Sequence, residues 1–332
     1  MITERILAGL SALALVAAGL AAGGQQPAAA PPLPPQIQPQ LAILDTDIGD
    51  DIDDAFALAL ALRSPELHIL GVTSAFGDTE LRARLLDRYL GALGRGDIPV
   101  NAGVATPYSN VFTQAAYARR APQTAHADGV EFLLSQIRAH PGEITLIAIG
   151  PLFNIQAAIQ RDAATFGKLK RVVLMGGSIF RGYGGGKDGA RQSPDAEWNI
   201  AADPAGSKAL LASGVPVFMM PLDSTQIHLE AEDREAIFSH GSPLTDQLTL
   251  LYHQWSAGTK EHWTTPTLFD PVAVAYAVHP ELCPVTPMHL DVDDQGFTRV
   301  GAGAANAQVC LESDEKGFLA LLLGRVLEDP AH

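Results

Sequence analysis

Residues 44–55 read Leu44-Asp45-Thr46-Asp47-Ile48-Gly49-Asp50-Asp51-Ile52-Asp53-Asp54-Ala55 and place six carboxylates within ten positions. An apolar run, Leu41–Leu44, precedes them and a helix-like stretch, Asp53–Leu62, overlaps their end, so the segment connects a predicted buried strand to a predicted helix. A solvated acidic turn that caps this helix would explain Asp53 or Asp54. It would not explain the acidic residues directly after an apolar strand.

The six carboxylates repel one another strongly unless a cation neutralises them. Ca²⁺ and Mg²⁺ prefer carboxylate oxygens, so the sequence predicts a divalent-metal site at the end of this strand. Phosphatases of the haloacid dehalogenase type also carry Asp-x-Asp after a strand, and there the first Asp is a nucleophile. Asp45-x-Asp47 therefore keeps a metal-dependent phosphohydrolase open as an alternative.

Short apolar runs alternate with amphipathic stretches from residue 41 onward. The strand-like runs are Leu41–Leu44, His68–Thr73, Pro99–Ala102, Ile144–Ile149, Arg171–Met175 and Val215–Met220. The helix-like stretches are Asp53–Leu62, Leu81–Leu93, Gly129–Ala139, Phe153–Arg161 and Pro204–Ser213. This alternation predicts an α/β fold with a mostly parallel sheet flanked by helices. Active sites in such sheets lie beyond the carboxyl ends of the strands.

The N-terminus predicts a secretory signal peptide, residues 1–24. Arg5 gives a weak positive charge, Ile6–Ala22 is an uncharged apolar run, and the small residues 21–23 offer a cleavage site. An uncleaved membrane anchor is the alternative, because the run approaches the length of a membrane span. Residues 25–40 are rich in Pro, Ala and Gln and predict an extended linker. We expect a secreted or periplasmic protein, without membrane attachment after cleavage.

The net charge of the chain is −15 and no run rich in Lys or Arg occurs. Nucleic acid and anionic membranes are therefore excluded as expected partners, and a small neutral substrate or a bound cation fits the charge better. The chain has 332 residues and is 47% hydrophobic, which is enough for a sizeable core. Its two cysteines, Cys283 and Cys310, form a disulfide or remain free thiols, and the sequence leaves both open.

Several motifs occur in one order along the chain. They are Asp45-Thr46-Asp47-Ile48-Gly49, Asp53-Asp54-Ala55-Phe56-Ala57-Leu58, Gly77-Asp78, Ile149-Gly150-Pro151-Leu152-Phe153-Asn154, Val173-Leu174-Met175-Gly176-Gly177, Ala196-Glu197-Trp198-Asn199-Ile200, Asp203-Pro204, Pro221-Leu222-Asp223 and Phe269-Asp270-Pro271-Val272-Ala273-Val274. The set resembles the inosine–uridine nucleoside hydrolase family over about residues 41–328. The resemblance implies a single α/β catalytic domain, residues 41–332, and leaves a homo-oligomer open.

The resemblance also implies one Ca²⁺ at the bottom of the pocket. Asp47, Asp54 and Asp270 match the carboxylate ligands of the family, and Ile149 matches the residue that offers a main-chain carbonyl. The ion would grip the ribose hydroxyls and the attacking water. Asp47 would then be the general base that takes the proton of that water.

The residues that match the sugar-binding positions are expected to contact the ribose of a nucleoside. They are Asp53, Asp78, Met175, Glu197 and Asn199. The implied reaction is calcium-dependent hydrolysis of the N-glycosidic bond of a ribonucleoside, or a related N-riboside, to ribose and free base. The alternative on the same fold is a protein that binds nucleosides or ribose without cleaving them.

The chain departs from the family at three places. Two residues are added before Asp53, so Asp51 could replace Asp53 or Asp54 as a contact. Asp78 stands where the family often has Asn. Phe269 replaces the His that precedes the metal-binding Asp in many purine-accepting members. The usual acid for the leaving base is therefore missing, and His262 is our first candidate for that role; the others are His228, Tyr252, His253 and Trp263. The sequence does not decide the base preference.

Overall fold

The computed structural model describes residues 38–107, 110–184, 193–259 and 262–328. The predicted signal peptide and residues 25–37 of the predicted linker lie outside these ranges. Within them, no helix is both long enough and apolar enough to cross a membrane. The described residues form one compact unit.

The main sheet of the described residues has nine strands in the order β4-β3-β2-β1-β5-β6-β7-β11-β8. Every neighbouring pair is parallel except β11 and β8. Its strands and a separate antiparallel pair, β9 and β10, are β1 (Gln40–Thr46), β2 (Leu67–Ser74), β3 (Val100–Ala102), β4 (Ala127–Asp128), β5 (Thr145–Ala148), β6 (Arg171–Met175), β7 (Val217–Met220), β8 (Val285–Met288), β9 (Leu290–Val292), β10 (Thr298–Val300) and β11 (Ala307–Cys310).

Helices cover both faces of this sheet, as expected for strands that are apolar on both sides. They are α1 (Asp53–Leu62), α2 (Thr79–Ala92), α3 (Ala115–Ala118), α4 (Gly129–Ala139), α5 (Phe153–Phe166), α6 (Trp198–Ala202), α7 (Pro204–Ala212), α8 (Leu222–Thr225), α9 (Ala231–His240), α10 (Pro243–Gly258), α11 (Phe269–Val278) and α12 (Glu315–Val326). In β1, Ala42 and Leu44 pack into one hydrophobic layer and Ile43 into the other. The expected α/β fold with a mostly parallel sheet is confirmed.

The order of the strands reverses beside β1. The chain builds the sheet outward from β1 to β4, and then returns to place β5 on the other side of β1. The carboxyl ends of β1 and β5 therefore lie next to each other, with Asp45 opposite Ala148. Such a switch point leaves a crevice between the loops that leave the two strands. Asp47 and Ile149, which follow these strands, stand at that crevice.

A disulfide joins Cys283 to Cys310, with the two Cα atoms 5.6 Å apart. Cys310 ends β11, and Cys283 precedes β8, the antiparallel strand at the edge of the sheet. Both cysteines are buried. The structure thus favours the disulfide over the two free thiols, both of which the sequence left open.

We expect the Cys283→Ser/Cys310→Ser double variant to be less stable than the wild type. The bond closes a loop with a sequence separation of 27 residues. Loop-closure entropy for this length predicts a loss of about 3–4 kcal/mol in the free energy of unfolding. Urea denaturation of both proteins, and of the wild type with a reducing agent, measures the difference. Equal midpoints in all three would contradict a structural disulfide.

Candidate active site

A cavity of about 390 Å³ opens at the crevice between β1 and β5. Seven carboxylates line it, and no Lys, Arg or His does so among the described residues. The acidic residues of its wall are Asp47, Asp50, Asp51, Asp53, Asp54, Glu197 and Asp270. Its inner part is therefore strongly negative and suits a cation or a ligand that carries positive charge.

Three of these carboxylates could hold one metal ion. Oxygens of Asp53, Asp54 and Asp270 lie within 4.8 Å of one another, and all three side chains are buried. Asp53 and Asp54 occupy the first turn of α1 and Asp270 that of α11, where the helix dipoles favour negative charge. The two helix ends also bond directly, because the Asp270 main-chain N–H donates to Asp53 Oδ2 at 3.3 Å.

Burial raises the pKa of all three carboxyls well above the usual range, and the neighbouring carboxylates raise it further. The donors are hard oxygens that cannot all be ionised without a cation between them. These are the properties that a Ca²⁺ or Mg²⁺ site requires, so the residues fit the metal that the family resemblance implies.

Asp47 stands beside this group. Its side chain is 7% exposed, and burial raises the pKa of its carboxyl to about 7, while the Arg82 guanidinium lowers it. A Cβ built on Gly150 would lie 2.8 Å from Asp47 Oδ1, so the turn after β5 needs glycine there. The carbonyl of Ile149 lies on the same wall, 3.5 Å from the amide nitrogen of Asn199. The structure thus brings Asp47 and Ile149 to the Asp54–Asp270 pair.

Fixed contacts hold the acidic loop between β1 and α1. The Arg82 guanidinium, which is fully buried, donates to the main-chain carbonyls of Asp47 and Ile48 and pairs with the Asp50 carboxylate at 3.0 Å. The Thr113 hydroxyl donates to the Asp50 carbonyl at 2.7 Å.

The start of this loop depends on Gly49. The φ angle of Gly49 is +129°, and a Cβ there would lie 1.9 Å from the ring of Phe112. No other residue could occupy this position without strain and a shift of the ring.

Asp51 faces the cavity but is not one of the three clustered carboxylates. Its carboxylate accepts the Ile52 main-chain N–H at 2.7 Å. Burial raises the pKa of Asp51 to about 6, while the Ile52 main-chain N–H lowers it. The structure therefore gives Asp51 a place of its own rather than that of Asp53 or Asp54.

The candidate sugar contacts Met175, Glu197 and Asn199 also line the cavity. The Asn199 side chain donates to the Met175 carbonyl at 3.2 Å. The Glu197 carboxylate accepts the main-chain N–H of Asn199 at 2.9 Å and of Gly177 at 2.8 Å. A spacing of two positions would direct Glu197 and Asn199 to one side of an extended segment, but the chain starts a helix here. Glu197 is the N-cap of α6 and Asn199 lies in its first turn, so capping, not strand alternation, fixes both side chains.

Asp78 and His262 are not among the described residues of the cavity wall. Asp78 is the N-cap of α2, where its side chain accepts the Leu81 main-chain N–H at 3.0 Å. His262 is exposed, with a φ angle of +50°, in the loop between α10 and α11. The structure thus shows a capping contact for Asp78 and no wall position for His262.

The other four candidates for the leaving-group acid take different positions. Trp263 lines the cavity and is 52% exposed. Tyr252 donates its hydroxyl to the Thr264 carbonyl at 2.7 Å and so fixes the loop that carries Trp263. His253 is exposed and its ring lies against Phe238. His228 lines a neighbouring cavity.

Aromatic rings form the outer part of the cavity wall, and the sequence had indicated only some of these residues. Trp255 is buried on α10, while Tyr183 and Trp198 are partly exposed. The Tyr183 and Phe269 rings meet edge to face, with centroids 6.1 Å apart. Trp255 lies three residues after Tyr252 on one helix, so helical spacing could have placed it on the same face.

Asp45 takes no part in the cavity wall. Its side chain is buried, accepts the Asn154 amide at 2.6 Å and the Thr73 hydroxyl, and thereby ties β1 to β2 and α5. A phosphohydrolase of the type that Asp45-x-Asp47 indicated needs this first carboxylate as its nucleophile. The structure argues against that alternative.

The comparisons with known proteins agree with this geometry. The family profile described as inosine-uridine preferring nucleoside hydrolase matches residues 42–320. The pyrimidine-specific ribonucleoside hydrolase RihA of Citrobacter koseri is 32% identical over 318 residues, which cover 86% of this chain and 97% of that protein. The protein of the same name from Escherichia coli O9:H4 is 31% identical with the same coverage.

Two solved structures are similar throughout. A plant nucleoside hydrolase has a TM-score of 0.78 and 25% identity, covering 88% of this chain and 100% of its own. A purine-preferring ribonucleoside hydrolase from Gardnerella vaginalis has a TM-score of 0.74 and 24% identity, covering 87% and 98%, and shares the fold. Since the profile extends over most of the domain and the curated relatives match nearly end to end, the chain belongs to the inosine-uridine preferring nucleoside hydrolase family.

Proposed function

We propose that this protein is a calcium-dependent hydrolase that splits the N-glycosidic bond of ribonucleosides into ribose and free base. The observation that carries the proposal is the convergence of Asp53, Asp54 and Asp270 at one point of a cavity, with Asp47, Glu197 and Asn199 around them. The arrangement supplies a metal site, a base for water and polar contacts for a sugar within one enclosure.

Asp47, Asp54, Asp270 and the Ile149 carbonyl would hold the ion, with Asp53 beside them. The ion would lower the pKa of water and bind ribose hydroxyls. Ca²⁺ is favoured over Mg²⁺ because carboxylates and a main-chain carbonyl form a flexible set of oxygens, while Mg²⁺ keeps several of its waters.

The protein's own residues perform the chemistry around the sugar. Asp47 accepts the proton of the attacking water as the general base. As the bond to the base stretches, positive charge develops on the ribose, and the buried carboxylates of Asp53 and Glu197 stabilise it. Asn199, held by its bonds to main-chain carbonyls, presents an amide to a ribose hydroxyl.

The relatives indicate which bases to examine. The curated relatives are named pyrimidine-specific and one structural neighbour purine-preferring, so both classes belong in an assay of this protein. The alternative of a nucleoside-binding protein without activity rests on Phe269, which takes the place of the His found before the metal-binding Asp in many purine-accepting members. Asp47, the proposed general base, lines the cavity, and this favours the hydrolase.

We further propose that the protein is exported and acts in the periplasm or outside the cell. The apolar segment after Arg5 has the pattern of a signal peptide. The disulfide between Cys283 and Cys310 supports this, because such bonds persist in oxidising compartments.

A panel of nucleosides tests the hydrolase directly. Purified protein with calcium, incubated with uridine, cytidine, inosine and guanosine, should release base and ribose in equal amounts, measured by reversed-phase chromatography and a reducing-sugar assay. A parallel preparation of Asp47→Asn controls for contaminating hydrolases. Ribose or nucleoside binding with no base released would favour the binding protein instead.

A further inference from the structure

A second cavity, of about 420 Å³, adjoins the active-site cavity. The two share five wall residues, which we call the base wall. These are Asp51, Tyr183, Trp255, Trp263 and Phe269. The clustered carboxylates that would hold the ion and the ribose are buried, and Tyr183 and Trp263 are partly exposed. The base wall therefore offers a surface for the base of a nucleoside whose ribose lies on the inner carboxylates.

Four of the five residues of the base wall are aromatic, and the fifth is a carboxylate. The Tyr183 and Phe269 rings stand nearly perpendicular, at 83°. The Asp51 carboxylate accepts the Ile52 main-chain N–H at 2.7 Å, which fixes its position. Aromatic faces attract a flat ring by stacking, and they attract it more strongly when that ring is a cation. A fixed carboxylate on this wall adds a negative charge, which attracts a cationic ring more strongly than a neutral one.

The surrounding charge acts in the same direction. Seven carboxylates line the inner cavity, and the Arg82 guanidinium, which pairs with Asp50, is not part of its wall. Among the described residues no Lys, Arg or His lines this cavity, so no basic side chain on its wall repels a cationic ring.

The departure at Phe269 fits a cationic base as well. A neutral base must gain a proton or leave as an anion. The described wall of the inner cavity carries no imidazole to give one, and His228 lies on the wall of the second cavity. A cationic ring needs neither. The oxygen of water bonds to C1′ of the ribose, the C1′–N bond breaks, its electron pair stays on the ring nitrogen, and the ring leaves neutral. The water proton goes to Asp47.

We propose that this enzyme, if it has the hydrolase function proposed above, acts preferentially on N-ribosides whose base is a cation, such as a pyridinium or an N7-alkylated purine. Asp51 and the rings of the base wall form the subsite that recognises this charge. Asp51 lies in the acidic loop on the wall of both cavities, and the bond from the Ile52 main-chain N–H holds its carboxylate there.

The test compares nicotinamide riboside, whose pyridinium is cationic, with uridine, whose base is neutral. We measure kcat/KM for both with the calcium-loaded wild type and with Asp51→Asn, which keeps the shape and removes the charge. Nicotinamide riboside should lose about tenfold or more and uridine less than about threefold, because only the cation interacts with the fixed charge. The inherent reactivities of the two substrates cancel in this double comparison.

Two further variants sharpen the result. Trp263→Leu, at a largely exposed side chain, should also lower kcat/KM more for nicotinamide riboside than for uridine. Asp97→Asn removes an exposed carboxylate outside both cavities and controls for the change in overall charge. It should leave the ratio of the two substrates as in the wild type.

The opposite outcomes are distinct. A larger loss of kcat/KM for uridine in Asp51→Asn would mean that Asp51 gives a proton to a neutral base. Equal losses of kcat/KM for both substrates would mean that Asp51 shapes the pocket. Either result overturns the inference. Cleavage of uridine with none of nicotinamide riboside overturns it and leaves the hydrolase function standing. Release of base from neither substrate overturns both.

Discussion

Asp47→Asn is expected to lower kcat on ribonucleosides by at least about 10²-fold, because the amide cannot accept the proton of the attacking water. The amide keeps an oxygen that can face a cation, and the substitution changes no volume. The Arg82 bond to the main-chain carbonyl of residue 47 does not involve the side chain, so the acidic loop should keep its shape. Steady-state kinetics with calcium present measure the loss.

Calorimetry with ribose is the control for this variant. Affinity for ribose close to that of the wild type, with the same circular dichroism spectrum, would locate the defect in the chemical step. Near-normal turnover of this variant would show that another carboxylate acts as the general base. Asp51 and Asp53, which face the same cavity, would be examined next.

Removal of calcium should lower the melting temperature of the wild type and abolish turnover. Binding to the folded state alone stabilises it by about 2.7 kcal/mol when the free ion is at about a hundred times its Kd. For a domain of this size that is a shift of about 5 °C or more. Asp54→Ala removes a carboxylate of the buried cluster and should lose both the bound ion and the shift.

A matched variant distinguishes the effect of losing the metal site from the effect of altering any buried carboxylate. Asp45→Asn alters a buried carboxylate that lines no part of the cavity, so it should keep the calcium-dependent shift even if its melting temperature falls. Metal content by mass spectrometry and thermal melts with calcium or a chelator give both quantities. Equal melting temperatures for the metal-free and calcium-loaded wild type would show that the site is wrongly assigned.

The rise in melting temperature that calcium causes should also become larger as the pH increases. Without a cation, burial raises the pKa of Asp47 to about 7 in the folded state, above the ordinary 3.8, and it also raises the pKa of Asp54 and Asp270 well above that ordinary value. A group with a raised folded pKa contributes stability below its unfolded pKa and loses it as the pH rises toward the folded value. The metal-free protein should therefore weaken from about pH 4 to pH 7.

Much of this site could be predicted from the sequence because its residues are adjacent to regular elements. α1 and α4 have the predicted bounds, and β6 matches its predicted run, since apolar periodicity and acidic first turns fix them. The family resemblance is confirmed, and with it the assignment as an N-ribosyl hydrolase. The clustering of Asp54 with Asp270 depended on that resemblance, because no local pattern connects residues so distant.

The outer wall could not be predicted in the same way. Tyr183 and Trp255 reach the cavity through the packing of a loop and of α10, and neither carries a local signal of ligand contact. The contacts that hold the acidic loop could not be predicted either. Arg82 approaches the loop from α2 and donates to main-chain carbonyls, which every sequence has. His262 illustrates the reverse case, since a position near Asp270 in sequence did not bring its side chain to the wall.

The bond between the first turns of α1 and α11 has a kinetic consequence. It joins residues 217 positions apart, so the ligand set is complete only when the two ends of the domain have met. Contacts of such long separation form late, because loop closure is slow and costly in entropy. A cation could therefore not nucleate folding here. It would act after the rate-limiting step, slow unfolding, and leave the folding rate nearly unchanged.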